Sequence, residues 1–534
     1  MSTTTISVAA KPAINPWFVA IAVVIPTFME VLDTTIANVA LEYIAGGLAA
    51  SASDKTWVIT SYLAANATIL PISGWISARL GRRNYFLLSI AVFTIASGLC
   101  GMARSLEEII LFRVIQGLAG GGLQPSSQGV LLDSFPREKQ GAAQTMFGVA
   151  ALLAPVVGPT LGGYLTVQYN WRYIFYINIP VGTLALVACY FLVQDPDYLK
   201  KQRKELLSQP LNFDFLGLGL LSLTIICWEV LLSKGQEWDW LGDPFWRIQT
   251  LLAGFVLGLG SLIFWELRVA NPIVNFRPLT DRNFAACCII IFCAYGVLYG
   301  ASTSLPGLLQ NWFGYDAYVS GLVQSPSGIF SIMMLIVVTR LIAWGTDARW
   351  LIAAGLVIMG CANYWMALMN IYISPWQVIW PRVGLIIGLS LLFAPLNVAA
   401  FMYMPQRLRG AAIGLLALLR NEGGSVGTSI ADTIQVRRNQ FHLSRIGENL
   451  DPLNPFVSSY MNGAQDYLAQ QLGDPAGSQL TALQTLDTLR QQQAATMAYF
   501  DVFWMFGMLA FGLVFLVLLM KRSVAEKGAH VGAE

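Results

Sequence analysis

Fourteen runs of roughly 20 mostly apolar residues follow one another along this chain, each long enough to cross the hydrocarbon core of a bilayer as a helix. They span approximately 17–39, 57–77, 85–103, 109–131, 142–165, 171–193, 213–233, 247–266, 284–305, 318–339, 350–369, 376–401, 411–433 and 499–520. Alternating strands of about ten residues are absent, so a barrel is set aside, and helices remain as the way to satisfy the backbone in lipid. Charge agrees with this: 12% of residues are charged, against about 25% in soluble domains. The sequence therefore specifies an all-α integral membrane protein.

The N-terminal MSTTTISVAAKPAINP has neither a basic leader nor a small-residue cleavage site, and the first run is too long for a signal core, so it reads as a retained first helix. Lysine and arginine set the orientation. With the N-terminus inside, the inner side carries Arg79, Arg82, Arg83, Arg137, Lys139, Lys200, Lys201, Arg203, Lys204 and further cations as far as Lys527. The short outer loops carry Lys55, Arg104, Arg172, Lys234 and Arg247, which predicts that both termini are cytoplasmic. The seven cysteines fall in or at the ends of apolar runs and read as small core residues rather than disulfides or metal ligands. A net charge of +2 with no concentrated basic patch gives nucleic acid nothing to bind.

Two connections are unusual. The inner loop QDPDYLKKQRKELLSQP reads as a solvated basic connector against anionic headgroups. The outer segment 434–498 is too long for a plain loop, and its end, GSQLTALQTLDTLRQQQAAT, has Leu480, Leu483 and Leu486 at helical spacing, which predicts an amphipathic helix outside the membrane. An internal repeat is also present. A shift of 269 residues lays Arg113-Val114 on Arg382-Val383, PREKQGAA (136–143) on PQRLRGAA (405–412), and Val157-Gly158 on Val426-Gly427. The shift spans eight helices and implies two parallel six-helix halves, 1–193 and 284–534. Between them lie a basic linker, 194–212, and two inserted helices within 213–266.

No GxxxxGK[ST] sequence occurs, and the two histidines, His442 and His530, lie outside the apolar runs, so ATP hydrolysis and intramembrane histidine chemistry are set aside. The ionisable residues inside the runs are Glu30, Asp33, Arg113, Glu229, Arg382, Arg420, Glu422 and Asp432. Each costs about 3 kcal/mol at the bilayer centre, so such residues are held against protein or water and are commonly functional. Glu30 and Asp33 stand at i, i+3, roughly 60° apart on one helix face. They read as a protonation site in a central cavity, or else as the lining of an outward vestibule with Asp33 accepting from Thr34 or Asn38. Arg113 requires an anionic partner, which Asp33 or Glu30 can supply; the residues admit either structural pairing or a role in switching protonation. Gly158, Pro159, Gly162 and Gly163 permit close backbone contact and a kink. The counterpart stretch 418–432 carries Arg420 and Glu422, expected to engage other helices, while Glu229 near a helix end is expected to snorkel.

Several stretches resemble the major facilitator superfamily, specifically its fourteen-helix drug:proton antiporters of the EmrB/QacA type. LDTTIANVAL (32–41) resembles the helix 1 motif, GWISARLGRR (74–83) the loop motif GxLaDRxGRR, and RVIQG (113–117) the motif RxxQG. GPTLGG (158–163) resembles the antiporter motif, and WRYIFYINIPVG (171–182) the start of helix 6. The resemblance implies the major facilitator fold: two six-helix halves plus two inserted helices. It implies Asp33 as the proton-linked acid and Arg113 as an arginine affecting proton transfer; the motif does not require Glu30, which the residues alone put forward as a second proton-coupling candidate one turn earlier. Gly158, Pro159, Gly162 and Gly163 would form a hinge and leak barrier, and Gly74, Arg79, Gly81, Arg82 and Arg83 an inner gate. Independently of the resemblance, Glu30, Asp33, Asn38 and Gln116 are the residues expected to line a substrate cavity. Two departures stand out: Ala78 replaces the loop motif's acid, so the gate lacks that charge, and Ala154 replaces a glycine.

The resemblance further implies a transporter, not an enzyme, that needs no cofactor and runs on a proton gradient. It would export hydrophobic compounds from a bacterial inner membrane, with an EmrA-like periplasmic adaptor and a TolC-like outer-membrane channel. Competing readings are an exporter of a single metabolite such as a siderophore or amino acid, a membrane-embedded enzyme, for which the acid or histidine cluster is lacking, and a non-transporting scaffold.

Overall fold

The computed structural model describes residues 15–51, 54–135, 140–208, 214–269, 272–451, 453–472 and 475–522. The N-terminal segment read as retained, the loop cations Arg137 and Lys139, the end of the basic linker, and His530 lie outside these residues.

The described residues contain helices and no strand. The first is α1 (Pro16–Gly47), whose start is set by the Asn15 side chain accepting from the Trp17 amide and by a proline in the first turn. The second apolar run is split into α2 (Trp57–Ile69) and α3 (Ser73–Leu80) around Pro71, which has no N–H to continue the ladder. After α4 (Arg82–Met102), the fourth run is split at Gly121-Gly122 into α5 (Leu106–Gly120) and α6 (Leu123–Ser134). The first half closes with α7 (Gln140–Gln168), α8 (Tyr173–Tyr176) and α9 (Asn178–Leu192). The linker holds α10 (Asp197–Ser208), followed by α11 (Phe215–Lys234) and α12 (Arg247–Glu266). The remainder comprises α13 (Arg282–Asn311), α14 (Ala317–Gln324), α15 (Pro326–Ala343), α16 (Ala348–Ala367), α17 (Pro375–Met402), α18 (Gln406–Gly447), α19 (Pro455–Leu472) and α20 (Pro475–Val517).

Eleven stretches of these helices are long and apolar enough to cross a membrane by length and composition. The expected spans missing from that set are 57–77 and 109–131, each interrupted, and 411–433, which carries Arg420 and Glu422. The fourteen-span count is consistent with this set.

One packing pattern occurs twice. α1 lies along α7, and α5 receives α2 and α4; correspondingly α13 lies along α18, and α17 receives α15 and α16. The last helix of each set, α9 and α20, packs on α4 and α1 in one case and on α16 and α13 in the other. Between the sets, α11 pairs with α12 and also touches α2 and α18. At roughly 1.5 Å per residue, the 42 residues of α18 and the 43 of α20 extend to about twice the thickness of a hydrocarbon core. Both project beyond it and, with α19, form a helical extension. The amphipathic segment expected before the last span is therefore continuous with that span rather than separate from it. Its buried face is Ser478 and Ala482; Leu480 and Leu483 are exposed.

Candidate functional site

Asp33 is held inside the first helix set, away from the space between the two sets. Its Oδ2 accepts from Arg113 Nη1 at 2.5 Å, and its Oδ1 accepts from Gln116 Nε2 at 2.9 Å and Asn178 Nδ2 at 2.8 Å. Asn178 also donates to Ser97 Oγ at 2.9 Å. Arg113 has no exposed surface; it donates from Nε to the Val58 carbonyl at 3.0 Å and from Nη1 to Gln116 Oε1 at 2.9 Å, and lies 4.3 Å over the Tyr62 ring. α1, α4, α5 and α9 thus converge on one carboxylate. A buried pair of this kind is costly to break because the survivor is left charged and unpaired. Thr34 is not its partner, since that hydroxyl donates to the Val31 carbonyl, and Asn38 lies half-buried further along α1.

Glu30, one turn earlier, faces the other way, into the interface between the two helix sets. It accepts from Asn66 Nδ2 at 3.1 Å, Tyr62 Oη at 3.4 Å and Gln124 Nε2 at 2.5 Å. The same Gln124 accepts from Arg420 of α18, and Asn421 Nδ2 donates to Asn66 Oδ1 at 3.4 Å. Glu30, Asn66, Gln124, Tyr295, Tyr299 and Arg420 line a space of about 30 Å³, with room for about one water. It shares Gln124 and Arg420 with a second small space, which in turn shares Pro125 and Ile413 with a cavity of about 610 Å³ at the end of the bundle bearing the basic motif. Of the four residues expected to line a substrate cavity, Glu30 lines this path. Asp33 and Gln116 lie behind it, and Asn38 borders none of these spaces. The two acids, expected side by side on one face, serve different compartments.

The opposite end of the bundle is shut, and α7 connects that closure to Asp33. On one side, a Cβ at Gly158 would stand 2.2 Å from Thr35 Oγ1, and one at Gly162 would stand 3.3 Å from the Ile36 Cα, so the two glycines let α7 lie close against α1. Gly163 is also buried. On the other side, Thr160 Oγ1 donates to the Gly321 carbonyl of α14 at 2.7 Å. A Cβ on Gly321 would stand 2.4 Å from Thr160 Cα and 2.8 Å from the Pro159 carbonyl carbon. Pro159 therefore sits at the seam of the two helix sets.

At the basic end, acids other than the missing one serve the loop motif. Arg82 pairs with Asp133 and donates to the Gly129 carbonyl at 3.0 Å; Arg83 N donates to Asp195 Oδ1 at 2.9 Å, and its Nη2 to the Tyr190 carbonyl at 2.7 Å. α10 docks on this assembly instead of floating as a solvated connector: Arg203 Nε donates to the Arg79 carbonyl at 3.0 Å and Tyr198 Oη to Asp133 Oδ1 at 2.8 Å. Partial burial, then the Asp133 hydrogen bond, push the Tyr198 phenol above its ordinary pKa. Gly74 and Ala78 line the large cavity. Gly81 has φ +89°, and a Cβ there would stand 2.9 Å from Asp195 Oδ2. Gly81→Ala is therefore expected to lower stability by about 1–3 kcal/mol in chemical unfolding of the purified protein; an unchanged midpoint would contradict this geometry.

The sequence profile of the Major Facilitator Superfamily matches residues 23–428. The chain belongs to the major facilitator superfamily. Within it, the chain is 34% identical over 505 residues to the multidrug export protein EmrB of Haemophilus influenzae, covering 94% of this chain and 95% of that one. It is 33% identical over 524 residues to the fatty acid resistance protein FarB of Neisseria gonorrhoeae, covering 98% of each. The fold is similar to the crystal structure of the human organic anion transporter MFSD10, with a TM-score of 0.59 at 13% identity, covering 95% of this chain and 100% of that one.

This EmrB-type superfamily member has a further buried acid pair that hydropathy alone misplaces. Glu229 of α11, expected to snorkel, is 3% exposed and accepts from Ser425 Oγ of α18 at 2.9 Å. Glu422, one turn from Ser425, is its neighbour, so two buried carboxyl groups face each other between α11 and α18, with Trp228 beside them. Asp432 is exposed. Asn66, Gln124 and Asn178 were not singled out from the sequence; the available signal was an amide side chain within an apolar run, alone in its run for Asn66 and Asn178, the latter inside the WRYIFYINIPVG stretch itself, but accompanied by Gln116 and Gln128 for Gln124.

Proposed function

We propose that the protein is a proton-driven exporter of hydrophobic toxic compounds across the bacterial inner membrane. The observation that carries this reading is the separation of two buried acids on α1: Asp33 closed in with Arg113, and Glu30 on the path between the halves. Protonating Asp33 removes the charge that holds Arg113, and the cheapest relief is a shift of α1 against α5. Because α1 is meshed with α7 through Gly158 and Gly162, the shift reaches the Pro159–Gly321 seam. Opening that seam and closing the basic end exposes the central space to the other side. Substrate enters through the large cavity and meets Glu30, Tyr295, Tyr299 and Arg420. The names of the EmrB relatives support a multidrug range. The FarB relative and the basic wall formed by Arg203 and Lys204 also favour amphiphilic acids among the substrates. The helical extension, with Leu453 and Phe456 exposed, offers a periplasmic adaptor an apolar contact, and the outer-membrane channel would follow from that adaptor.

The test is flux of ethidium and of a fluorescent fatty acid in proteoliposomes under an imposed pH gradient. Gradient-driven transport of either, abolished by a protonophore, is expected. Glu30→Gln removes a carboxylate whose charge Arg420 faces, so ethidium transport should fall about tenfold while the fatty acid is spared, a difference of about 1.4 kcal/mol. Equal losses for both would remove Glu30 from substrate charge selection.

A further inference from the structure

The 269-residue repeat that lays Arg113 on Arg382 also lays Asp33 on Ser302. The second half has kept the arginine and lost the acid. Arg382 Nη2 donates to Ser302 Oγ at 2.8 Å, so the same two positions are in contact in both halves. Arg382 is 2% exposed, and its Nε and Nη1 have no hydrogen-bond partner among the described residues. Among the described residues, no charged side chain pairs with it. An isolated guanidinium in a dry helix bundle needs a negative charge, and unpaired buried donors signal a missing ligand. Arg382 lines none of the three spaces along the central path, which sets it apart from the substrate route.

We propose that Arg382 binds a small monovalent anion of the halide class between α13 and α17, held by guanidinium N–H groups that Ser302 leaves free, and that this ion supplies the negative charge that Asp33 supplies to Arg113. The second half is then locked by a soluble ion where the first is locked by an ionisable side chain. Its hold depends on anion concentration, while that of the first depends on protons. This site is independent of what the protein transports.

The test is thermal unfolding of the purified full-length protein in gluconate, chloride and acetate at equal ionic strength. Wild type is expected to gain several degrees in Tm on moving from gluconate to chloride, because a ligand of the folded state alone stabilises it. Ser302→Asp supplies the carboxylate from the chain, so this variant should lose the chloride response and reach in gluconate at least the Tm of wild type in chloride. Arg382→Gln should also lose the response; should it not fold, Ser302→Asp decides. An acetate response equal to that of chloride, abolished by Ser302→Asp, would confirm the site and assign it a small carboxylate. The proposal fails if wild type unfolds identically in all three salts, or if Ser302→Asp keeps the wild-type chloride response.

Discussion

Asp33→Asn is expected to destabilise the protein by about 3 kcal/mol, the lower end of the cost of breaking a buried ion pair, because asparagine still offers Arg113 a neutral acceptor. Arg113 makes its other contacts to Val58, Gln116 and Tyr62, none of them charged, so no second carboxylate takes over. The double variant Asp33→Asn/Arg113→Gln should regain most of that stability. It removes the stranded cation as well as the lost partner, the signature of a coupled pair in a double-mutant cycle. Chemical unfolding of the four proteins in one detergent reads this directly. Additive losses would mean that Asp33 and Arg113 stabilise the fold separately.

The second large effect is conformational. Gly321→Val puts a branched side chain against the backbone of Pro159 and Thr160, which no rotamer change can relieve. Overpacking of this kind costs about 3 kcal/mol. Here the protein avoids the cost by parting the halves at that end, a shift of roughly 100-fold in the population of the closed arrangement. Tyr164 and Tyr318 face each other across the same seam with ring centroids 5.8 Å apart. Cysteines at these two positions should cross-link rapidly in the parent and about 100 times more slowly with Gly321→Val. Gly158→Ala is a milder perturbation, since its nearest obstacle is the Thr35 hydroxyl rather than backbone. Unchanged cross-linking in Gly321→Val would show that the Pro159–Gly321 contact does not govern closure.

Much of this arrangement is legible in the chain. Apolar runs locate the helices because the bilayer imposes one length on all of them, and the residues with a physical reason to pair, Asp33 and Arg113, do so. Helical-wheel reasoning went astray over Glu30. A 60° separation looks like one face on paper, yet α1 is packed on several sides at once, and 60° suffices to send one acid toward α5 and the other toward α18. Hydropathy misread Glu229 because it cannot know that α18 covers that side of α11. The loss of the acid at Ala78 suggested a weakened gate. The replacements, Asp133 and Asp195, come from 55 and more residues away, and pairings at that distance leave no local trace. The helical extension was half legible: no breaker follows Gly477, so the run into the last span was visible, whereas the exposure of Leu480 and Leu483 depends on neighbours that only packing reveals.

Under the proposed coupling, Asp33 exchanges protons for substrate that passes through a space it does not itself line. Efflux from proteoliposomes, measured with and without an imposed pH gradient for wild type and Asp33→Asn, tests it most directly. The account predicts that Asp33→Asn still equilibrates ethidium down its own gradient but gains nothing from the pH gradient. If Asp33→Asn concentrates ethidium as well as wild type when the pH gradient is imposed, the proton is carried elsewhere and the account is contradicted.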